Sequence, residues 1–331
     1  MKKGKVSKLV ALAMAGMMVL SGCSTGGTQA VDKNEETKTY TIGISQLAEH
    51  PALDDARRGF EDGLQELGVN AEIVYQNAQG DIPNTVSIAQ KFVQDDVDLI
   101  YAIATPAAQS AKQATAEIPI LFSAVTDPVQ SEIVADWENV GGNVTGTSDK
   151  APVEAQLKMF KQLDPSIETI GIIYNTSEAN SEIQIKEVEE LAPNEGLKVV
   201  KIGVTSVNEM PQALDSLLSK VDALYALSDN LVASSVELVS NKLIENKMIS
   251  VCAEESQVGG GILITNGLSY YELGKQTAKM AKEILVDGKD VSTIPVGVAE
   301  KTITTVNETT LEALGLDQGN PTLKDAVRVG K

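Results

Sequence analysis

Asn175, Thr176, Ser177, Asn180 and Ser181 crowd one short stretch, IGIIYNTSEANS. Their amides and hydroxyls suit a small polar solute. If the stretch runs from a strand into a helix, free N–H groups and the positive end of the helix dipole favour a carboxylate there. The competing role is capping, since Asn180 or Ser181 can satisfy the helix start. Thr105, Pro106 and Ala107 form a second candidate helix start, with Pro106 suited to the first helical position. Ser45, Gln46, His50 and Leu53 mark a third segment, in which Pro51 biases His50 towards an extended backbone. No Cys or second His accompanies His50, which argues against a metal; it either meets a solute or is structural. Thr126 and Asp127, then Asp229 and Asn230, then Glu254 complete the set.

A solute amine needs an anion, because an ammonium buried without one is very costly. Asp127, Asp229 and Glu254 are the acids in position, and the sequence does not choose among them; Asp127 before Pro128 is equally a turn-former. Phe122, Tyr174 and Tyr225 either wall the site or pack in the core. No Gly-Lys-Ser/Thr loop, GxSxG elbow or metal-spaced His/Cys cluster occurs, so no catalytic residue, cofactor or enzyme activity is expected.

The elements that must hold these residues alternate. From Tyr40, short apolar strands follow amphipathic helices, the pattern of parallel α/β layers. Each candidate segment follows a strand, where ligands of open α/β sheets bind. The pattern then restarts: Ile170–Tyr174 answers Ile42–Ser45, Val221–Tyr225 answers Val97–Tyr101, and Lys247–Ala253 answers Ile118–Ala124. Such a long repeat means two similar lobes. Lobe 1 is expected over 40–148, completed by about 268–294, and lobe 2 over 149–267, completed by about 295–331. Three crossings follow, near Gly146–Lys150, Asn266–Ser269 and Thr293–Val296, with Gly146 and Gly267 free to absorb backbone change during closure.

Lys2, Lys3, Lys5 and Lys8 precede a short apolar run ending Leu20-Ser21-Gly22-Cys23. This reads as a signal peptide, 1–22, too short to span a bilayer. Leu-Ser-Gly-Cys looks like a bacterial lipobox, in which Cys23 is lipidated and becomes the first mature residue. Residues 23–39 read as a polar tether, placing the folded part at the outer face of the cytoplasmic membrane. The full chain carries a net charge of −19, a poor match to nucleic acid. With Cys23 lipidated, Cys252 has no partner and reads as a small buried residue.

The lipobox, IGISQLAEHPALDDARRGF, TPAAQSA, LFSAVTDPV, GGNVTGTS, IIYNTSEANS and SYYELG together resemble the ABC-transporter substrate-binding lipoproteins related to the streptococcal tryptophan-binding lipoprotein. The resemblance runs from Thr41 to about Leu316. It implies the type I periplasmic-binding-protein fold, two Rossmann-like lobes with parallel sheets joined by three crossovers. It also implies a monomeric receptor that delivers a small solute to an ABC permease and its ATPase. The solute is expected to be an amino acid, with tryptophan, phenylalanine and tyrosine as aromatic options. A sugar or nucleoside receptor is the rival on the same fold, though aromatic content of only 4% leaves few sugar platforms. A ligand-sensing regulatory domain is the rival from another class; it would need a basic helix-turn-helix where the lipobox stands.

Overall fold

The computed structural model describes residues 38–330. The expected signal peptide, the Cys23 lipidation site and nearly all of the tether lie outside them. Two sheets organise the described chain. The first runs β11-β5-β4-β3-β1-β2, from β1 (Tyr40–Gln46), β2 (Ala71–Asn77), β3 (Leu99–Ile103), β4 (Ile120–Val125), β5 (Val144–Ser148) and β11 (Gly297–Val298). The second runs β13-β12-β10-β9-β8-β6-β7, from β6 (Thr169–Asn175), β7 (Lys198–Val204), β8 (Ala223–Ala226), β9 (Ile249–Cys252), β10 (Ile264–Gly267), β12 (Ile303–Asn307) and β13 (Val327–Val329). This is the two-lobed α/β architecture expected from the sequence.

The central strands are apolar at nearly every position because helices cover both faces of each sheet. In β3, Leu99, Tyr101 and Ile103 enter one core while Ile100 and Ala102 enter the other. In lobe 2, Ile170, Ile172 and Tyr174 face one core and Ile173 the opposite one. Phe122 and Tyr225 are fully buried and Tyr174 nearly so, all three within these cores, so they do not wall a solute site.

All pairings but one are parallel. The exception is β12 against β10, where Ile264 faces Val306 and Gly267 faces Ile303. The chain reaches β12 directly from the first sheet, at the end where parallel strands finish. It must therefore run the other way through lobe 2.

The third crossing lies later than expected. Gly297 and Val298 pair with Thr147 and Ser148 of the first sheet, so the chain changes lobes after Val298 rather than at Thr293–Val296. Lobe 2 is therefore resumed at β12, not from residue 295. Gly146 also serves a different end: a Cβ there would stand 2.2 Å from the Phe122 carbonyl oxygen, so glycine is demanded by close packing inside β5.

The Tyr270–Leu285 helix belongs to the first lobe, where it lies against the Pro51–Glu66 helix. Gly59 and Gly274 make the approach possible. A Cβ on Gly59 would meet the Tyr271 carbonyl oxygen at 2.0 Å, and one on Gly274 the Ala56 carbonyl oxygen at 2.1 Å. Both helices begin at the cleft, so this contact fixes two segments of its rim. Gly274→Ala should push the helices apart and cost about 1–3 kcal/mol; a thermal unfolding midpoint unchanged from the parent would show that the helices are not so tightly joined.

Candidate functional site

The carboxyl ends of the two sheets face each other across a cleft. The segments at its centre include His50, Leu53 and Ala124 from lobe 1, Asp149 and Tyr270 from the crossings, and Ser228, Asp229, Asn230, Glu254 and Gln257 from lobe 2. They close to a void of about 10 Å³, at most one water molecule. On either side the cleft widens, into mouths of about 940 and 390 Å³.

On lobe 1 the backbone is strained where it meets the cleft. Ala104 has φ 85° and ψ 155°, a region that essentially only glycine enters without penalty, and Ala124 has φ 58°. Ala104 directly follows β3, and Ala124 lies within β4, where its pairing with β5 shifts register between Phe122 and Val125. The twist at Ala104 turns β3 directly into the Thr105–Ala114 helix, whose first N–H groups lack intrahelical partners. Pro106 and Ala107 sit in its first turn, buried, with Ala107 packed in the core. The Thr105 and Ser45 hydroxyls are each 1% exposed, with no partner among the described residues. His50 precedes the Pro51–Glu66 helix in an extended conformation (φ −160°), as Pro51 requires.

Lobe 2 is organised by two buried acids. Glu178, 2% exposed, accepts from Asn175 Nδ2, Asn180 Nδ2, the backbone N–H groups of Asn230 and Leu231, and Asn230 Nδ2. Asp229 accepts from Asn175 N at 2.7 Å, Ser181 Oγ at 2.7 Å and Val232 N at 2.9 Å. Burial, then the neighbouring Glu178 charge, pushes the Asp229 pKa above the usual carboxylate range.

These contacts revise the role expected of Asn180 and Ser181. Their donors serve Glu178, Asp229 and the Ser228 carbonyl, so they do not reach for a solute carboxylate. What Asn180 leaves over is an acceptor, Oδ1, buried and unpaired. Asn175 lines the narrower mouth but spends its side chain on Glu178 and on the Ser177 N–H. Ser177 is exposed on that turn, away from the centre.

The three acids expected for an amine separate clearly. Asp127 accepts from Val129 N, Gln130 N and Gln130 Nε2, so it builds its own turn; Thr126 beside it accepts from Ser148 Oγ through its carbonyl. Both Asp229 oxygens are engaged within lobe 2. Glu254 keeps one oxygen free: Oε2 accepts from Ser256 N and Oγ, whereas Oε1 is buried without a partner. Burial pushes its pKa up to about 7, and Asp149 adds to the rise. Asp149 takes a hydrogen bond from Tyr270 Oη on Oδ2 and leaves Oδ1 unpaired; burial raises its pKa also.

Sequence reasoning missed Glu178, Asp149, Gln257 and Tyr270. Glu178 lies inside the very loop singled out, Asp149 lies on the expected crossing at Gly146–Lys150, and Tyr270 directly follows the one at Asn266–Ser269, so position gave the signal that residue type hid. Cys252 is fully buried, as its sequence context suggests. Among the described residues no acid, His or Cys cluster suits a metal, and no helix is long and apolar enough to cross a membrane.

A family model of ABC transporter substrate binding proteins matches residues 41–329. The chain belongs to that family. It is 43% identical to a tyrosine-binding protein of Clostridioides difficile over 325 residues, 96% of this chain and 94% of the relative. An ABC domain from Streptococcus pneumoniae in complex with L-Trp superposes with a TM-score of 0.84 at 33% identity, covering 88% of this chain and all of that one. The ligand-free, open structure of a Clostridium difficile substrate binding protein gives 0.68 at 45% identity, covering 88% of this chain and 99% of that one. As a member, this protein binds a small solute for an ABC transporter outside the cytoplasm, a role in binding rather than catalysis.

The strain at Ala104 has a measurable sign. Ala104→Gly should raise the unfolding free energy by about 1 kcal/mol in denaturant titrations, since glycine occupies that backbone region freely. A destabilised variant would mean that Ala104 is relaxed there.

Proposed function

We propose that the cleft captures a free amino acid, and an aromatic one. The observation that carries this is the division of its unpaired buried atoms. At the centre, Asp149 Oδ1, Glu254 Oε1 and Gln257 Oε1 are buried and unpaired; the Gln257 oxygen can only accept, since its amide nitrogen already donates to the Leu227 carbonyl, and the two carboxyl oxygens accept once ionised. Ser45, near the carboxyl end of β1, and Thr105, at a helix start, supply hydroxyls able to donate. A zwitterion meets both demands: its ammonium donates to the first set and its carboxylate accepts from the second. Glu254 and Asp149 are the ammonium partners in this reading, because each is acidic and each has an oxygen free.

The printed ligands of two relatives, tyrosine and L-Trp, support an aromatic side chain. The lobe arrangement supports capture by closure. This chain superposes better on the L-Trp complex than on the open, ligand-free structure, although it is more identical to the latter. A centre this tight admits a solute only when the lobes part. Lipidation at Cys23, a tether over 23–39, a monomeric state and delivery to a membrane permease complete the proposal. The two lobes divide at the three crossings described above.

Thermal-shift screening tests the class: tyrosine, tryptophan or phenylalanine should raise the unfolding midpoint by mass action. Silence from every amino acid beside a clear shift with a sugar would overturn it. The pH dependence tests the amine partner. Without solute, Glu254 holds its proton up to about pH 7, whereas the unfolded chain releases it near its ordinary value. Its contribution to stability is therefore lost as pH rises through that window. An ammonium beside it favours the ionised form, so binding expels a proton and affinity should strengthen from pH 5 to 7.5. Titration calorimetry should find this rise reduced in Glu254→Gln; a parent affinity that is flat or weakens with pH contradicts the assignment.

A further inference from the structure

Asn230 is the one described residue whose side chain hydrogen-bonds across the cleft to His50, and Glu178 decides which way its amide faces. The Glu178 carboxylate receives five N–H groups, among them Asn230 Nδ2. Turning that amide over would set two oxygens against each other. Asn230 Oδ1 is thereby aimed at lobe 1, where it lies 3.2 Å from His50 Nε2. An amide oxygen only accepts, so the bond requires the His50 proton on Nε2. Nδ1 is left with a bare lone pair, buried and without a partner among the described residues. His50 itself is 6% exposed, and burial lowers its pKa below the ordinary value, which keeps the ring neutral.

We propose that His50 Nδ1 accepts a hydrogen bond from the solute's side chain, a phenol O–H or an indole N–H, and so makes the site prefer a donor-bearing aromatic amino acid to phenylalanine. The inference rests on the amino-acid reading above and names the residue that selects within that class. Hydrogen-bond chemistry separates this acceptor from the ammonium partners: His50 Nδ1 is a neutral ring nitrogen, whereas Asp149 and Glu254 are acids. The charges acting on His50 are those of Glu178, at the lobe 2 rim, and Asp54, on its own helix. Asp149 and Glu254 instead act on each other and on Tyr270 at the crossings. The centre therefore presents both kinds of group, the acids Asp149 and Glu254 and the neutral acceptor His50 Nδ1. Glu178 and Asn230 are positioning residues, acting on the solute only through the His50 tautomer.

A buried acceptor left unpaired is penalised, which gives the discrimination its sign. Two substitutions separate the ring's two nitrogens. In His50→Gln the amide nitrogen replaces the Nε2 donor to Asn230 and the Nδ1 acceptor is lost. In His50→Asn the amide oxygen stands near the Nδ1 position and the bridge to Asn230 is lost. Calorimetric titration of the full chain with L-tyrosine, L-tryptophan and L-phenylalanine reads the affinity ratio for each variant. The parent should bind tyrosine or tryptophan about tenfold or more tighter than phenylalanine. The ratio should collapse in His50→Gln and persist in His50→Asn. A parent that binds all three equally, a ratio surviving in His50→Gln, or equal losses in both variants overturns the inference while leaving the amino-acid reading standing. Failure of all three solutes to bind the parent removes both.

Discussion

Burying a polar atom without a partner costs free energy, and burying a charge costs far more. The seam between the two lobes concentrates that cost. At its centre Asp149, Glu254 and Gln257 are each buried with one oxygen that has nothing to accept from. The rest of the molecule sets up this condition. Two sheets aim their carboxyl ends at one another, and the crossings carry Asp149 and Tyr270 into the gap.

The two lobes meet this constraint differently. In lobe 2, Glu178 and Asp229 gather the N–H groups and the Ser181 hydroxyl of their own rim, which ties the 175–181 loop to the start of the Asn230–Ser234 helix. Lobe 1 holds its strain in the backbone, at Ala104 and Ala124, and leaves hydroxyls unspent. Each face still keeps unpaired groups, hydroxyls at Ser45 and Thr105 on lobe 1 and acceptor oxygens at Asn180, Glu254 and Gln257 on lobe 2. In the proposed function, closure around a solute joins them, and the gain from pairing the acids would supply the differential affinity that a closing equilibrium requires.

Much of this was legible in the sequence. Near-continuous apolar runs such as LIYAI and ILFSAV gave strands covered on both sides, and the restart at Ile170 gave the second lobe. Strand direction alone points the strand-end segments one way, and residues of the 45–53, 228–230 and 254–256 segments line the centre. Which atoms stay free was not legible. Asn180 and Ser181 carry the right groups, yet a neighbouring acid claims their protons, and only three-dimensional contact reveals the claim. Asp127 and Glu254 look alike in sequence, and each closes its own turn; only Glu254 keeps an oxygen unpaired. The third crossing was placed a few residues early because a two-residue strand, Gly297–Val298, is too short to show periodicity.

The account stands on a solute that brings both a cation and an anion into this seam. Analogues of L-tyrosine that lack one charge test it most directly: tyramine, without the carboxylate, and 3-(4-hydroxyphenyl)propionate, without the amine. Measured by calorimetry on the same preparation, both should bind about a hundredfold or more weaker than L-tyrosine, as expected for buried hydrogen bonds to charged groups left unmade. A deaminated analogue that binds as tightly as the amino acid would contradict the account, because the acids at the crossings would then have no part in the grip.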